Sequence, residues 1–200
     1  MKSAKIAEPL PDTPPPSARE RILQSARELF YREGIRATGV DRLIAASGVT
    51  KVTFYRHFPS KNDLIRAFLE DRHRRWITWF ADALRRQQAG GRQGLDALVP
   101  TLGEWLGENS YRGCAFINSV VELGGVLPEV VEISRRHKQE MIECIAGLLP
   151  ASEGREAAAQ AIALAVDGAI VRAQLDESPE PALSLLQSLL RTWRREAADV

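Results

Sequence analysis

The boxes Ser17-Ala-Arg-Glu20, Thr38-Gly-Val-Asp41 and Ser60-Lys-Asn-Asp63, each a serine or threonine followed three positions later by an acid, punctuate the chain between residues 17 and 63. In such a box the hydroxyl accepts an orphan amide of the first helical turn while the acid reaches back, so each marks a helix start. Ile22, Leu23, Ala26, Leu29 and Phe30 follow the first box at helical spacing, and Gly34 stops that helix. The second box opens a short helix carrying Val40, Leu43, Ile44 and Ala46, interrupted by Ser47-Gly48-Val49. Another runs from about Thr50 and stops at Phe58, the residue before Pro59. The third box starts a long helix with apolar pairs Leu64/Ile65, Phe68/Leu69, Trp79/Phe80 and Ala83/Leu84, followed by a glycine-bearing break over 85–94.

The remaining chain also reads as helix. Leu95, Leu98, Leu102, Trp105 and Leu106 mark one segment, 116–123 the next, and about 127–149 a third that ends at Pro150. Residues 153–176 are alanine-rich, and a last helix starts near Pro179 or Pro181. No stretch alternates with the period of a strand, so the expectation is an all-α fold of about nine helices. Residues 1–16 hold five of the eleven prolines and no aromatics, which predicts a disordered tail. The longest nearly apolar run, Ala157–Val166, is shorter than the roughly 18–20 residues a membrane span needs, and the start lacks the apolar core of a secretory signal. With only Cys114 and Cys144, and no metal-ligand spacing, a disulfide scaffold and a metal site are not expected. A reducing cytoplasm is the expected compartment.

Charge is uneven. Residues 17–75 carry 13 Lys and Arg against 7 Asp and Glu, whereas 76–200 carry 12 against 17. A basic first third on an acidic remainder points to a polyanionic partner for one end only. Two short helices joined by a glycine turn and flanked by longer ones form a helix-turn-helix, whose second helix fits the DNA major groove. Thr50 caps that helix, so its unpaired amides face outward. Lys51, Val52 and Thr53 occupy the first turn, where base edges are reached, and Tyr55, His57 and Lys61 follow at positions suited to phosphates. Thr38 stands at the start of the preceding helix, either as a phosphate contact or as a cap alone. Val49, Phe54 and Phe58 are the apolar anchors. The plainer reading, a structural helix pair in a ligand-binding or interaction protein without DNA readout, stays open at this point.

The run Ser47-Gly-Val-Thr-Lys-Val-Thr-Phe-Tyr-Arg-His-Phe-Pro-Ser-Lys61 resembles the DNA-binding domain of tetracycline-repressor-like (TetR) regulators, over roughly residues 17–65. Val52 stands where many members carry Gly or Ala. The resemblance implies a helix-turn-helix head over 17–62 and a ligand-binding and dimerisation body over 63–200. It implies a homodimer on a near-palindromic operator in double-stranded DNA, most simply a repressor released by a small-molecule effector. It further implies that the last two helices pair across the dimer, giving Ala158, Ile162, Ala165, Ala169, Leu183, Leu186, Leu190 and Trp193 as the expected interface. The competing reading of those residues is internal core.

Candidate pocket residues are Phe80, Trp105, Phe116 and Met141, with Asn118 and Glu122, one turn apart, as polar handles. Aromatic residues at helical spacing are as readily plain core. Cys114 and Cys144 leave a thiol-responsive regulator, or an activating one, as alternatives. Neither G-x-S-x-G, a P-loop nor H-E-x-x-H occurs, and Glu70-x-x-His73 has no second copy, since Ser134 precedes His137 by three. No enzymatic activity and no cofactor are expected.

Overall fold

The computed structural model describes residues 15–176 and 178–198; the proline-rich tail expected over 1–16 thus lies, apart from Pro15 and Pro16, outside the described residues. Nine α-helices and one short 3-10 turn form this part of the chain, with no strand among the described residues. They are α1 (Ala18–Glu33), α2 (Val40–Ser47), α3 (Lys51–His57), α4 (Lys61–Ala89), α5 (Leu98–Leu106), α6 (Ala115–Leu123), α7 (Pro128–Ala146), α8 (Arg155–Leu175) and α9 (Glu180–Ala198).

Local chemistry explains most of these boundaries. Ser17, Thr50 and Ser60 each accept a hydrogen bond from the amide three residues on, at 3.2, 3.2 and 3.1 Å. The box at Thr38 does not form. Gly39 takes the N-cap position of α2 without a side-chain bond, and the buried Thr38 hydroxyl donates instead to the Gly34 carbonyl at 2.7 Å. Gly48 ends α2 with φ 62°, a left-handed conformation that costs glycine little. The expected break over 85–94 begins later: α4 persists through Ala89, because Arg85–Ala89 contains no glycine or proline to stop it, and the 3-10 turn Gly94–Ala97 precedes α5.

Helices α1–α3 pack together, and α1 packs onto α4 near Phe68; α4 also packs on α5 and α7, and α8 packs on α7 and α9. Phe80, fully buried on α4, and Phe116 on α6 frame an aromatic core with Trp76, Trp105 and His137. The 21-residue α8 is long and apolar enough, by length and composition alone, to cross a membrane. Its Ala159, Ile162, Ala163, Val166 and Ile170 are buried against the rest of the chain.

His137 is held in an unusual state by this core. Its ring stacks on Phe116 with centroids 3.7 Å apart, and its Nδ1 lies 3.4 Å from Nδ1 of buried His73, whose Nε2 faces Glu140 at 3.3 Å. Burial above all, and then the positive charge of nearby Lys138, pushes the His137 pKa down to about 2. The folded protein therefore excludes a proton that the unfolded chain binds below about pH 6.5. Stability should be full above that value and fall as the pH drops, by up to about 1.4 kcal/mol per pH unit. Melting curves taken between about pH 7.5 and 5 should show this slope, and His137→Phe should flatten it.

Candidate nucleic-acid interface

The second helix of the helix-turn-helix, α3, is only seven residues long and owes its position to its neighbours. Phe54 is fully buried, with Phe58 at 6.4 Å and tilted against it, and the Arg19 guanidinium lies 5.2 Å over the Phe58 ring. Thr50 fixes the start twice, accepting from the Thr53 amide and donating to the Thr53 hydroxyl at 2.9 Å. What these anchors leave outside is one face: Lys51, Val52, Tyr55 and Arg56, all exposed, with Val52 at 79 %. Two cations, an aliphatic group and a phenol on one short helix can meet phosphates, a thymine methyl and base edges.

The other residues expected at DNA are placed differently. Thr53 and His57 are half-buried at the edge of this face. Thr38 is fully buried, so its side chain cannot reach a phosphate. Lys61 turns inward, donating to the Ile35 carbonyl at 2.6 Å; burial lowers its pKa, and the Glu122 carboxylate opposes that shift. Its ammonium is a tie within the molecule rather than an outward charge. Arg56 was not among the expected contacts, although it lies four residues after Val52 and helical periodicity puts it on the same face.

The joint between head and body is polar and specific. Glu122 of α6 accepts the Arg36 backbone amide at 2.8 Å. Gly34 permits this approach: its φ is 89°, and a Cβ there would meet Glu122 Oε1 at 3.3 Å. The Tyr31 hydroxyl donates to the Gly113 carbonyl at 2.8 Å and accepts the Arg112 amide at 2.9 Å, while Asn118 donates to the Arg112 carbonyl at 3.0 Å. Beside these bonds lies a cleft of about 820 Å³, walled by Tyr31, Gly34, Tyr111, Asn118, Glu122 and Gln174 among others. The two expected polar handles line this cleft; Glu122 also ties the head to the body, whereas Asn118 bonds within the body to the loop that Tyr31 holds. Phe80, Trp105, Phe116 and Met141 do not line it; each is buried in the core of the body. Tyr31 and Gln174 come from distant parts of the chain, and no local pattern announces them.

The expected interface residues face inward. Ile162, Ala169, Leu186 and Leu190 are buried in this chain's own core, and Ala158, Ala165, Leu183 and Trp193 pack partly against it. The exposed apolar side chains are on the other side of the same two helices: Leu164, Val171 and Leu175 on α8, and Leu185 and Leu189 on α9. With apolar residues on both sides of α8, periodicity does not say which side turns outward.

Residues 22–68, from Ile22 of α1 through α2 and α3 to Phe68 in the first third of α4, match the profile of bacterial regulatory proteins of the tetR family. The chain belongs to the tetR family. This TetR-family chain is 28 % identical over 192 residues to the transcriptional regulator AcuR of Cereibacter sphaeroides, covering 89 % of the chain and 84 % of that protein. It is 29 % identical over 155 residues to the transcriptional activator FasR of Mycolicibacterium smegmatis, covering 76 % and 70 %. A TetR-family transcriptional regulator from Streptomyces coelicolor superposes with a TM-score of 0.74 at 29 % identity, covering 88 % of this chain and 89 % of that one. A regulatory protein TetR from Rhodobacter sphaeroides does so at 0.71 and 25 %, covering 89 % and 97 %. The protein is a TetR-family transcriptional regulator with a DNA-binding helix-turn-helix, and its relatives are regulators rather than enzymes.

Glu122→Ala should release the Arg36 amide. Its hydrogen exchange should quicken by about tenfold, the scale of a lost charge-assisted bond, while the Phe54 amide keeps its protection.

Proposed function

We propose that this regulator is a cytoplasmic homodimeric repressor that binds a near-palindromic operator and leaves it when a small molecule enters the body. The observation that carries the ligand response is the Glu122–Arg36 bond on the wall of the 820 Å³ cleft. A ligand there meets the side chain that holds the turn between α1 and α2, and therefore acts on the seating of α3. Release requires the ligand to bind one head spacing more tightly than the other, because equal affinity shifts nothing. Dimers of helix-turn-helix proteins need half-sites roughly 34–36 Å apart or a multiple.

The exposed stripe of Leu164, Val171 and Leu175, with Leu185 and Leu189 beside it, supports self-association through α8 and α9. On the recognition helix, Lys51 and Arg56 serve as phosphate or guanine contacts, Tyr55 as a phosphate contact, and Val52 as an apolar contact to thymine. Thr50, Thr53 and His57 support that face. Activation is the second reading, favoured by the likeness to FasR, a transcriptional activator. A thiol trigger is not favoured: burial and the carboxylates of Glu140 and Glu143 raise the Cys144 pKa, the opposite of a reactive thiolate, and Cys114 is buried.

The deciding experiment is mobility shift of DNA from upstream of the gene itself against a coding fragment of equal length. Specific retardation supports the proposal; its absence across a genomic-fragment selection overturns it. Lys51→Ala should weaken specific binding about tenfold and lower the salt slope by about one, with the dimer still folded. Leu164→Glu combined with Leu185→Glu should give a monomer by light scattering and remove operator binding. A reporter fused to the retained promoter separates repression from activation.

A further inference from the structure

A second cleft, of about 430 Å³, shares Tyr31, Arg32 and Arg112 with the first and is otherwise formed largely by α1 and α4. Five arginines line it: Arg27 and Arg32 from α1, Arg72 and Arg75 from α4, and Arg112 from the loop before α6. Only two carboxylates join them, Glu28 and Asp71, which leaves three positive charges in excess.

Those carboxylates leave much of the positive charge unmatched. Asp71, buried at the cleft, has Oδ2 2.8 Å from Arg27 Nε, though the N–H is not aimed to form a hydrogen bond, and Arg74 approaches its other oxygen at 3.7 Å. Arg32 pairs with Glu33 at 2.8 Å. Arg72 lies 4.5 Å over the Tyr31 ring, and Arg112 Nη1 donates to the Tyr111 carbonyl at 2.6 Å. Among the described residues, Arg72, Arg75 and Arg112 have no ion-pair partner. Guanidinium groups gathered in a partly enclosed space repel one another unless an anion joins them, and their planar forks match the oxygens of phosphates and carboxylates. The volume falls within the range of small-molecule sites. DNA is a poor explanation for these charges, since α3 contributes no residue to the cleft.

We propose that this cleft binds a small oxyanion carrying two or more negative charges, a phosphate ester or a dicarboxylate. Bound there, the anion bridges α1 of the head to α4 and to the loop before α6, adding a charged tie to the joint beside Glu122. The proposal does not rest on the effector assigned to the larger cleft, with which this one shares Tyr31, Arg32 and Arg112.

The test is calorimetric titration of the full chain with inorganic pyrophosphate and, separately, with succinate, at ionic strength held constant by sodium chloride. Saturable binding of one equivalent per chain is expected for at least one probe, and the one preferred tells phosphate from carboxylate. Arg75→Gln, an exposed and unpaired site whose loss should leave the melting temperature unchanged, should weaken binding about tenfold. Arg32→Gln with Arg75→Gln should abolish it, and Arg135→Gln, exposed on α7, should not alter it. The proposal is overturned if neither probe saturates by about 10 mM, an affinity too weak for a site. It is equally overturned if Arg75→Gln binds as the parent does, or if Arg135→Gln weakens binding as much. An Arg75→Gln protein that loses operator affinity but keeps pyrophosphate binding would assign Arg75 to DNA and overturn it too.

Discussion

The arrangement of head and body depends on α4, whose buried face runs through one continuous apolar core from the head into the body. Its Leu64, Ile65, Phe68 and Leu69 are buried, and Phe68 meets Phe30 of α1 edge-on with centroids 5.4 Å apart. Further along, Trp76 stacks on Phe80 at 4.7 Å and meets Trp105 of α5 edge-on at 5.3 Å. A helix of 29 residues spans about 44 Å, so one rigid rod carries the head at one end and the body at the other. No flexible linker separates them.

The head is nevertheless held at a second point, and the chemistry there is of a different kind. The α4 contact around Phe30 and Phe68 is apolar and tolerant of small rotations, with the Arg27–Asp71 pair at its edge. The joint at Glu122, Tyr31 and Asn118 is built from hydrogen bonds to backbone atoms of Arg36, Gly113 and Arg112, which are lost over a fraction of an ångström. A stiff lever with an apolar pivot and a directional latch suits the release proposed above, in which a latched arrangement would exchange with an unlatched one. Lys61 reinforces the latched one by bonding the Ile35 carbonyl, next to the residue whose amide Glu122 holds.

Capping chemistry and apolar periodicity were legible because both are local. Ser17, Thr50 and Ser60 cap as their spacing predicts, and Phe54 and Phe58 anchor α3. Thr38 was misread because a hydroxyl has two local options, and the Gly34 carbonyl outcompeted the α2 amides. The outward face of α8 is not legible for a related reason: Ile162 and Leu164 are both apolar, and only the packing of α7 and α9 decides that the first is buried and the second 75 % exposed. Phe80, Trp105, Phe116 and Met141 look like pocket residues in a list of large side chains, yet such side chains fill space best against one another. The cleft is instead walled by Tyr31 and Gln174, residues 143 apart in the chain, a juxtaposition that only the tertiary fold creates.

The basic character of residues 17–75 illustrates how an average conceals geometry. Read along the chain, the excess of Lys and Arg suggests a single surface for a single polyanion. In space it divides. Lys51 and Arg56 stand on the exposed face of α3, whereas Arg27, Arg32, Arg72 and Arg75 turn to a cleft to which α3 contributes nothing. Charges around a recess act together through a medium that screens them less than bulk water, whereas charges on an open helix are screened within about 8–10 Å at ordinary salt. The excess of Lys and Arg thus divides between attraction of a duplex on one face and, in the proposal above, short-range capture of a compact anion on the other.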